Sequence, residues 1–195
     1  VEEEYLTAYL ARRGYTDKEI RSAIAKLKQA AGSLGGGLYN ANKEVYTLLR
    51  YGVNVQAEVT EKKKMVHLID WANPMENDFQ IAEEVTIHGT SDRRPDLVVY
   101  VNGIALAVIE LKRSTVSAHE GIRQNIRNQQ DGYIPRFFTT IQLLFAGNDT
   151  EGLHYGVIKT PEKFWLRWKE PCGEPCAKPH FTAEEYPNEL DRSVL

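Results

Sequence analysis

The sequence predicts an α/β domain: a small mixed β-sheet flanked by helices, with a helical appendage at the N-terminus. Three observations carry that prediction. The first fifty residues place apolar side chains at helical spacing. From residue 53 onward, short apolar runs rich in Val, Ile and aromatic residues alternate with turn residues. A polar, helix-spaced segment over 117–130 then interrupts the run of strands.

Glu2–Arg13 and Asp17–Ala31 read as two helices, with Thr16 and Asp17 as N-cap candidates between them. Gly32–Gly37 holds four glycines and a serine, a break too flexible for a helix. A third helix is predicted over Asn40–Tyr51, stopped at Gly52. Strands are predicted over Val53–Val59, Met65–Ile69, Phe79–His88, Leu97–Val101 and Ile104–Leu111. After the helix from Ser117 to about Gln130, two further strands are Gln142–Ala146 and His154–Ile158. Pro161–Trp168 reads as a short helix. The segment from 170 carries four prolines and little periodicity, as an extended tail would. The expected division is 1–36 as helical appendage and glycine-rich linker, 37–169 as core, and 170–195 as an extended tail or a linker toward a further domain.

Composition narrows the class. The 195 residues are 42% hydrophobic and 26% charged, a globular balance. The 24 basic against 27 acidic residues give a formal charge of −3, which excludes a generally basic nucleic-acid coat but not a local basic patch. No apolar run reaches the roughly 18–20 residues that span a bilayer. Val1-Glu-Glu-Glu lacks the features of a signal peptide. The first residue is not Met, so trimming or processing at the start is expected. Two cysteines exclude a disulfide-dense scaffold and point to a reducing compartment.

The informative stretch runs from Arg94-Pro95-Asp96 through an Asn102-Gly103 turn to Glu110-Leu111-Lys112. Leu106–Ile109 is apolar enough to be buried, and a Glu and a Lys ending such a strand are costly there unless paired or metal-bound. Strand alternation puts Glu110 and Lys112 on one face. Asp96 joins them only in the right register. A two-residue turn pairs 101 with 104 and 96 with 109, and turns Asp96 away. A three-residue loop over 101–103, with Gly103 left-handed, pairs 100 with 104 and 96 with 108. Asn-Gly supports either loop, and convergence of the carboxylates selects the bulged, three-residue one. Two carboxylates and an ammonium would then meet. That set suits a hard divalent cation, Mg²⁺ first, and phosphodiester hydrolysis. The competing reading is a surface Glu–Lys pair worth almost nothing.

Asp96…Glu110-Leu111-Lys112 resembles the PD-(D/E)xK nuclease signature. The longer run from Arg94 to Lys112 resembles the N-terminal nuclease domain of the restriction (R) subunit of type I restriction–modification enzymes. Leu49–Val53, Leu68–Pro74, Asn77–Phe79 and Ile134–Phe138 add to that likeness, which covers roughly residues 40–169. The resemblance implies a restriction-endonuclease-like core. It makes Asp96 and Glu110 the metal carboxylates and Lys112 the catalytic lysine. It suggests Glu44 as a further carboxylate from the third helix, against the plain reading of a solvated helix residue. Asp70 reads instead as a turn cap beside Trp71. The family's Gln-x-x-x-Tyr helix motif is matched by Gln124, although position 128 is Asn; Gln129 with Tyr133 fits the same spacing.

Arg94, Arg113 and Arg127 are candidates for DNA-backbone contact, with Arg93, Arg123 and Arg136 nearby in sequence. The resemblance also implies double-stranded DNA, modification and specificity subunits as partners, and a bacterial or archaeal cytoplasm. It places an ATP-driven translocase elsewhere in the subunit. This stretch has no G-x-x-x-x-G-K-[ST], so ATP is not expected to bind it. Cys172 and Cys176, near His180, have a spacing that zinc sites use, but a full ligand set would need a distant residue such as His154. Free thiols are the expectation there. Two other classes stay open: a different PD-(D/E)xK repair or recombination nuclease, and a non-catalytic module that kept the fold.

Overall fold

The computed structural model describes residues 1–56 and 62–169. The first two helices are α1 (Glu3–Arg12) and α2 (Asp17–Gly32). Thr16 caps α2 in a reciprocal box. Its hydroxyl accepts from the Glu19 amide at 3.4 Å, and its own amide donates to the Glu19 carboxylate at 2.8 Å. The glycine-rich break is ordered as a short 3₁₀ turn over Leu34–Gly36. Gly37, at φ +85°, then starts α3 (Leu38–Tyr51).

A small antiparallel hairpin follows, β1 (Val53–Val55) with β2 (Lys64–Val66). The remainder of the predicted strand 53–59 lies outside the described residues. The main sheet has six strands in sequential order: β3 (Phe79–Glu83), β4 (Leu97–Val101), β5 (Ile104–Leu111), β6 (Leu143–Asn148), β7 (Gly152–Gly156) and β8 (Leu166–Arg167). Every neighbouring pair is antiparallel except β5 with β6, which α4 (Ala118–Asn128) connects as a crossover. The mixed sheet flanked by helices is the predicted class.

Several boundaries differ from expectation. β2 stops at Val66, short of the predicted Ile69. β3 stops at Glu83 because Glu84 turns left-handed at φ 51°, leaving Ile87 to make only an isolated bridge with Arg93. β6 runs on to Asn148 and β7 begins at Gly152, so their turn is shorter than the predicted strands Gln142–Ala146 and His154–Ile158 leave. Pro161–Trp168 gives a 3₁₀ turn over Glu162–Phe164 and then β8, not a helix.

Two buried clusters hold these elements. One joins α1, α2, α3, β1 and β2, with Leu6, Leu10, Leu27, Val45 and Leu68 at its centre, and reaches Ile104 in β5. The other lies under α4, where Val98, Val108, Ile122, Phe138 and Leu144 pack together. Among the described residues, no helix is long and apolar enough to cross a membrane.

The clusters meet at the β4–β5 turn. Asn102 is fully buried there. Its amide nitrogen donates to Leu68 O and Asn77 Oδ1, both at 2.9 Å, and its Oδ1 accepts from the Asp78 amide at 2.8 Å. Gly103 O accepts from the Glu2 amide at 2.7 Å. The N-terminal helices are therefore tied to the central hairpin through its turn.

A Cβ on Gly103 would come within 2.5 Å of Glu2 O and 2.9 Å of Tyr5 Cβ, at a φ of +76° that side chains resist. Gly103→Ala should therefore lower stability by about 2–4 kcal/mol in denaturant unfolding. A loss below about 0.5 kcal/mol, the range of ordinary surface changes, would mean that α1 does not clamp this turn.

Candidate active site

The register of the β4–β5 hairpin places the first carboxylate. The expected three-residue loop is not what forms. Val101 pairs directly with Ile104, across a two-residue Asn102-Gly103 turn with φ 52° and 76°. A bulge compensates: Tyr100 pairs with Ala105 but Val99 pairs with Ala107, leaving Leu106 as the extra residue. The Leu106 carbonyl accepts instead from the Gln142 amide at 2.7 Å. Beyond the bulge Leu97 faces Ile109, so Asp96 lies across from Glu110, not Val108. The turn is corrected, and Asp96 still reaches the face of Glu110 because one bulged residue restores the parity.

Asp96 is anchored by accepting the Leu111 amide on its Oδ2 at 2.7 Å. Glu110 has no exposed surface. Its Oε2 accepts from Gln124 Nε2 at 2.8 Å, and Lys112 Nζ lies 3.7 Å from the same oxygen. Lys112 Nζ also donates to Gln124 Oε1 at 2.9 Å. Gln124 thus holds both charged groups through the two ends of one amide. Glu110 Oε1 is buried with no hydrogen-bond donor among the described residues. Burial raises the Glu110 pKa most, the Asp96 charge raises it further, and Lys112 opposes both; the result is about 8.

This donor set fits a hard cation. Two carboxylates converge, one with an oxygen that has lost water and gained no donor. A bound cation would satisfy both. Among the described residues, no group of three or more His, Cys, Asp or Glu is arranged to hold a metal. A hard cation held by only two carboxylates would complete its shell largely with water.

The remaining candidates scatter. Glu44 is exposed on α3, beside a shallow groove with Gly36, Asn40, Lys43 and Thr47; no hydrogen bond or ion pair joins it to the cluster. Asp70 caps a turn, its Oδ1 accepting from the Ala72 and Asn73 amides while Arg13 pairs with Oδ2 at 2.9 Å. Those contacts hold its pKa below the usual carboxylate range. Gln129 is buried and bonded to Asn125 O and the Lys159 amide, and Tyr133 stacks under Arg93. Of the two helix alternatives, the cluster contains Gln124. Asn128 is buried with its Oδ1 unpartnered.

Arg94 pairs weakly with Glu84 at 3.5 Å, and Arg123 is taken by Glu120 and Glu162. Arg113, Arg127 and Arg136 are exposed with no side-chain partner among the described residues. Arg127 borders a surface groove of about 450 Å³ between α4 and Pro161–Glu162. Cys172, Cys176 and His180 lie outside the described residues. His154 sits on β7 with its ring 5.8 Å from that of His119.

Sequence reasoning missed the residues that bring α4 to the strand. A Cβ on Gly121 would lie 3.0 Å from Ala146 Cβ and 3.4 Å from Glu110 Cβ. Glycine there lets the helix approach until Gln124 reaches Glu110. Glu151 caps the start of α4, accepting from the Ser117 hydroxyl and the Ala118 amide at 3.1 Å. A lone Gly amid helix-spaced residues was the available signal for the close approach.

The fold is thus a mixed α/β domain with an Asp/Glu/Lys cluster at one end of its main sheet. A family model described as the type I restriction enzyme R protein N terminus matches residues 1–163, and the chain belongs to that family. A protein of Methanocaldococcus jannaschii named as the type I restriction enzyme MjaIXP endonuclease subunit is 31% identical over 134 residues, covering 65% of this chain and 12% of that protein. The type I restriction enzyme SsaAORF53P endonuclease subunit of Staphylococcus saprophyticus is 26% identical over 133 residues, covering 68% and 13%. The chain thus spans about an eighth of the length of these relatives. The restriction endonuclease family suggests a divalent metal requirement in general terms.

The raised pKa makes a stability prediction for the metal-free protein. Unfolded Glu110 ionises near its ordinary 4.5, while the folded group keeps its proton to about 8. Between those values the folded state binds the extra proton, so stability falls as pH rises through that window. Glu110→Gln removes the penalty. In EDTA its Tm should match the parent near about pH 5 and exceed it by several degrees near about pH 8.5. A gap that does not widen with pH would mean the carboxylate is not desolvated.

Proposed function

We propose that this chain is the Mg²⁺-dependent DNA endonuclease domain of a type I restriction R subunit, hydrolysing phosphodiester bonds in double-stranded DNA. The observation that carries the reading is the convergence of Asp96, Glu110 and Lys112, with Glu110 Oε1 buried and unpartnered. Family membership supports it. Asp96 and Glu110 would hold the cation, which when bound polarises a phosphoryl oxygen and acidifies a bound water. Lys112, immobilised by Gln124, stabilises charge building on the phosphate or orients the attacking water. Gln124 acts through Lys112 and Glu110 and is a positioning residue. Arg94, Arg113 and Arg127 would meet the DNA backbone, which fixes register without reading sequence.

In the same reading, cleavage follows ATP-driven translocation by a motor elsewhere in the subunit. Sequence recognition comes from the modification and specificity subunits, in a bacterial or archaeal cytoplasm. A net charge of −3 suits a module delivered to DNA by partners.

The test uses the assembled full-length complex carrying Asp96→Ala, Glu110→Ala or Lys112→Ala. DNA cleavage should fall by about 10²-fold or more in each, with ATP hydrolysis retained. Cleavage surviving all three changes would remove the site from this cluster. Separately, Arg113→Ala and Arg127→Ala should weaken DNA binding alike across sequences, each lowering the salt-dependence slope by about one. An unchanged slope would place the DNA elsewhere.

A further inference from the structure

Strand alternation divides the six-stranded sheet into two unlike faces. Val98, Val108, Leu144 and Ala146 point toward α4 and are buried, with Glu110 among them. The opposite face carries Phe79 and Ile81 of β3, Leu111 of β5, Leu143 of β6 and Leu166 of β8, exposed by 42–66%. Pairing puts these positions in line. Ile81 faces Val99, Val99 faces Ala107, Ala107 faces Leu143, and Tyr155 faces Leu166. Trp168 joins them, half-exposed, with its ring 5.6 Å from Tyr155 and 6.3 Å from Phe145. The first buried cluster covers only the end near the β4–β5 turn, through Val101, Ile104 and Leu106. Glu83, at the end of β3, is the charged strand residue of this face among the described residues.

A sheet whose two faces are both apolar needs a layer on each. Among the described residues one full layer is present, on the α4 side. Six strands spaced by ~4.8 Å, about five residues long, outline on the order of 400 Å². That matches one side of an interdomain contact, roughly 300–750 Å².

We infer that this open face is the docking surface for the part of the R protein that lies C-terminal to the family's N-terminal unit. Two observations select that occupant. The matched family is described as the N terminus of the R protein, and the relatives are about eight times as long as the stretch they share with this chain. The described chain also leaves the sheet through β8, whose Leu166 and neighbouring Trp168 belong to the face. Trp168, next to the last described residue, therefore lies at its rim. The occupant presents an apolar surface with little charge, because a charge opposite this face would lose water and gain no partner.

The test is the labelling rate of single cysteines at Leu143→Cys and Leu166→Cys, with Cys172 and Cys176 replaced by Ser. Maleimide labelling is compared between the 195-residue chain and the full-length subunit, with Thr47→Cys on the exposed side of α3 as reference. Both positions already face solvent, so either variant alone suffices if the other folds poorly. The expected result is rapid labelling in the 195-residue chain and labelling slower by about tenfold or more in the full-length subunit, with Thr47→Cys unchanged. Equal rates in the two forms would overturn the proposal. Slow labelling in the 195-residue chain would overturn it too. With a monomer mass by ultracentrifugation it would assign the cover to the chain's own tail, and with a dimer mass to a second copy.

Discussion

Glu110 is a carboxylate with no exposed surface at the end of a buried strand, and the architecture around it is arranged to hold it there. A buried carboxylate must protonate, pair or take a cation. The structure offers each partially. Lys112 stands 3.7 Å away, Gln124 satisfies one oxygen, and the other has no donor. Asp96 adds a like charge across the hairpin, which no purely structural design would favour. A stability optimum would replace this group; a cation site needs it.

Holding that group constrains distant elements. The parity of β4 against β5 depends on two departures from a regular ladder, the left-handed Asn102-Gly103 turn and the Leu106 bulge. Neither alone brings Asp96 to face Glu110, because one residue of slip reverses every side chain. The turn is locked by Asn102, Asn77 and Asp78, and by the start of α1 through Glu2. The bulge is locked by Gln142, just before β6. The N-terminal helices therefore bear on the site through register and not through contact.

The parts of this arrangement differ in how far the sequence exposes them. Asp96, Glu110 and Lys112 are legible because charged residues ending an apolar strand are costly and rare. The helix carrying Gln124 is legible from its periodicity, and the Thr16 cap, with Asp17 as its rival, from residue type between two helical runs. The bulge is not, since Ile104–Leu111 reads as an uninterrupted strand and the extra residue is decided by what accepts its carbonyl. The end of β3 at Glu84 is hidden for a similar reason: a non-glycine residue at φ 51° gives no compositional signal. The short β8 loses to a helical reading because two paired residues leave no period to count. The fate of Glu44 turns on the rotation of α3 about its axis. Burial of Ala41, Asn42, Val45 and Leu49 fixes that rotation, and it leaves Glu44 in solvent.

The two faces of the sheet also keep the proposed docking surface apart from the proposed catalytic cluster. Asp96, Glu110 and Lys112 converge on the α4 side, while the apolar residues of β3, β6 and β8 lie on the other. A layer packed on the open face would leave the carboxylates and the exposed Arg127 unobstructed. It would also press on β5 through Ile109 and Leu111, the residues flanking Glu110. Because a bare two-sided sheet is mechanically softer than a sandwiched one, such packing would stiffen the strand that positions Glu110 and Lys112. Docking on one face and preorganisation on the other are then consequences of the same alternation along β5.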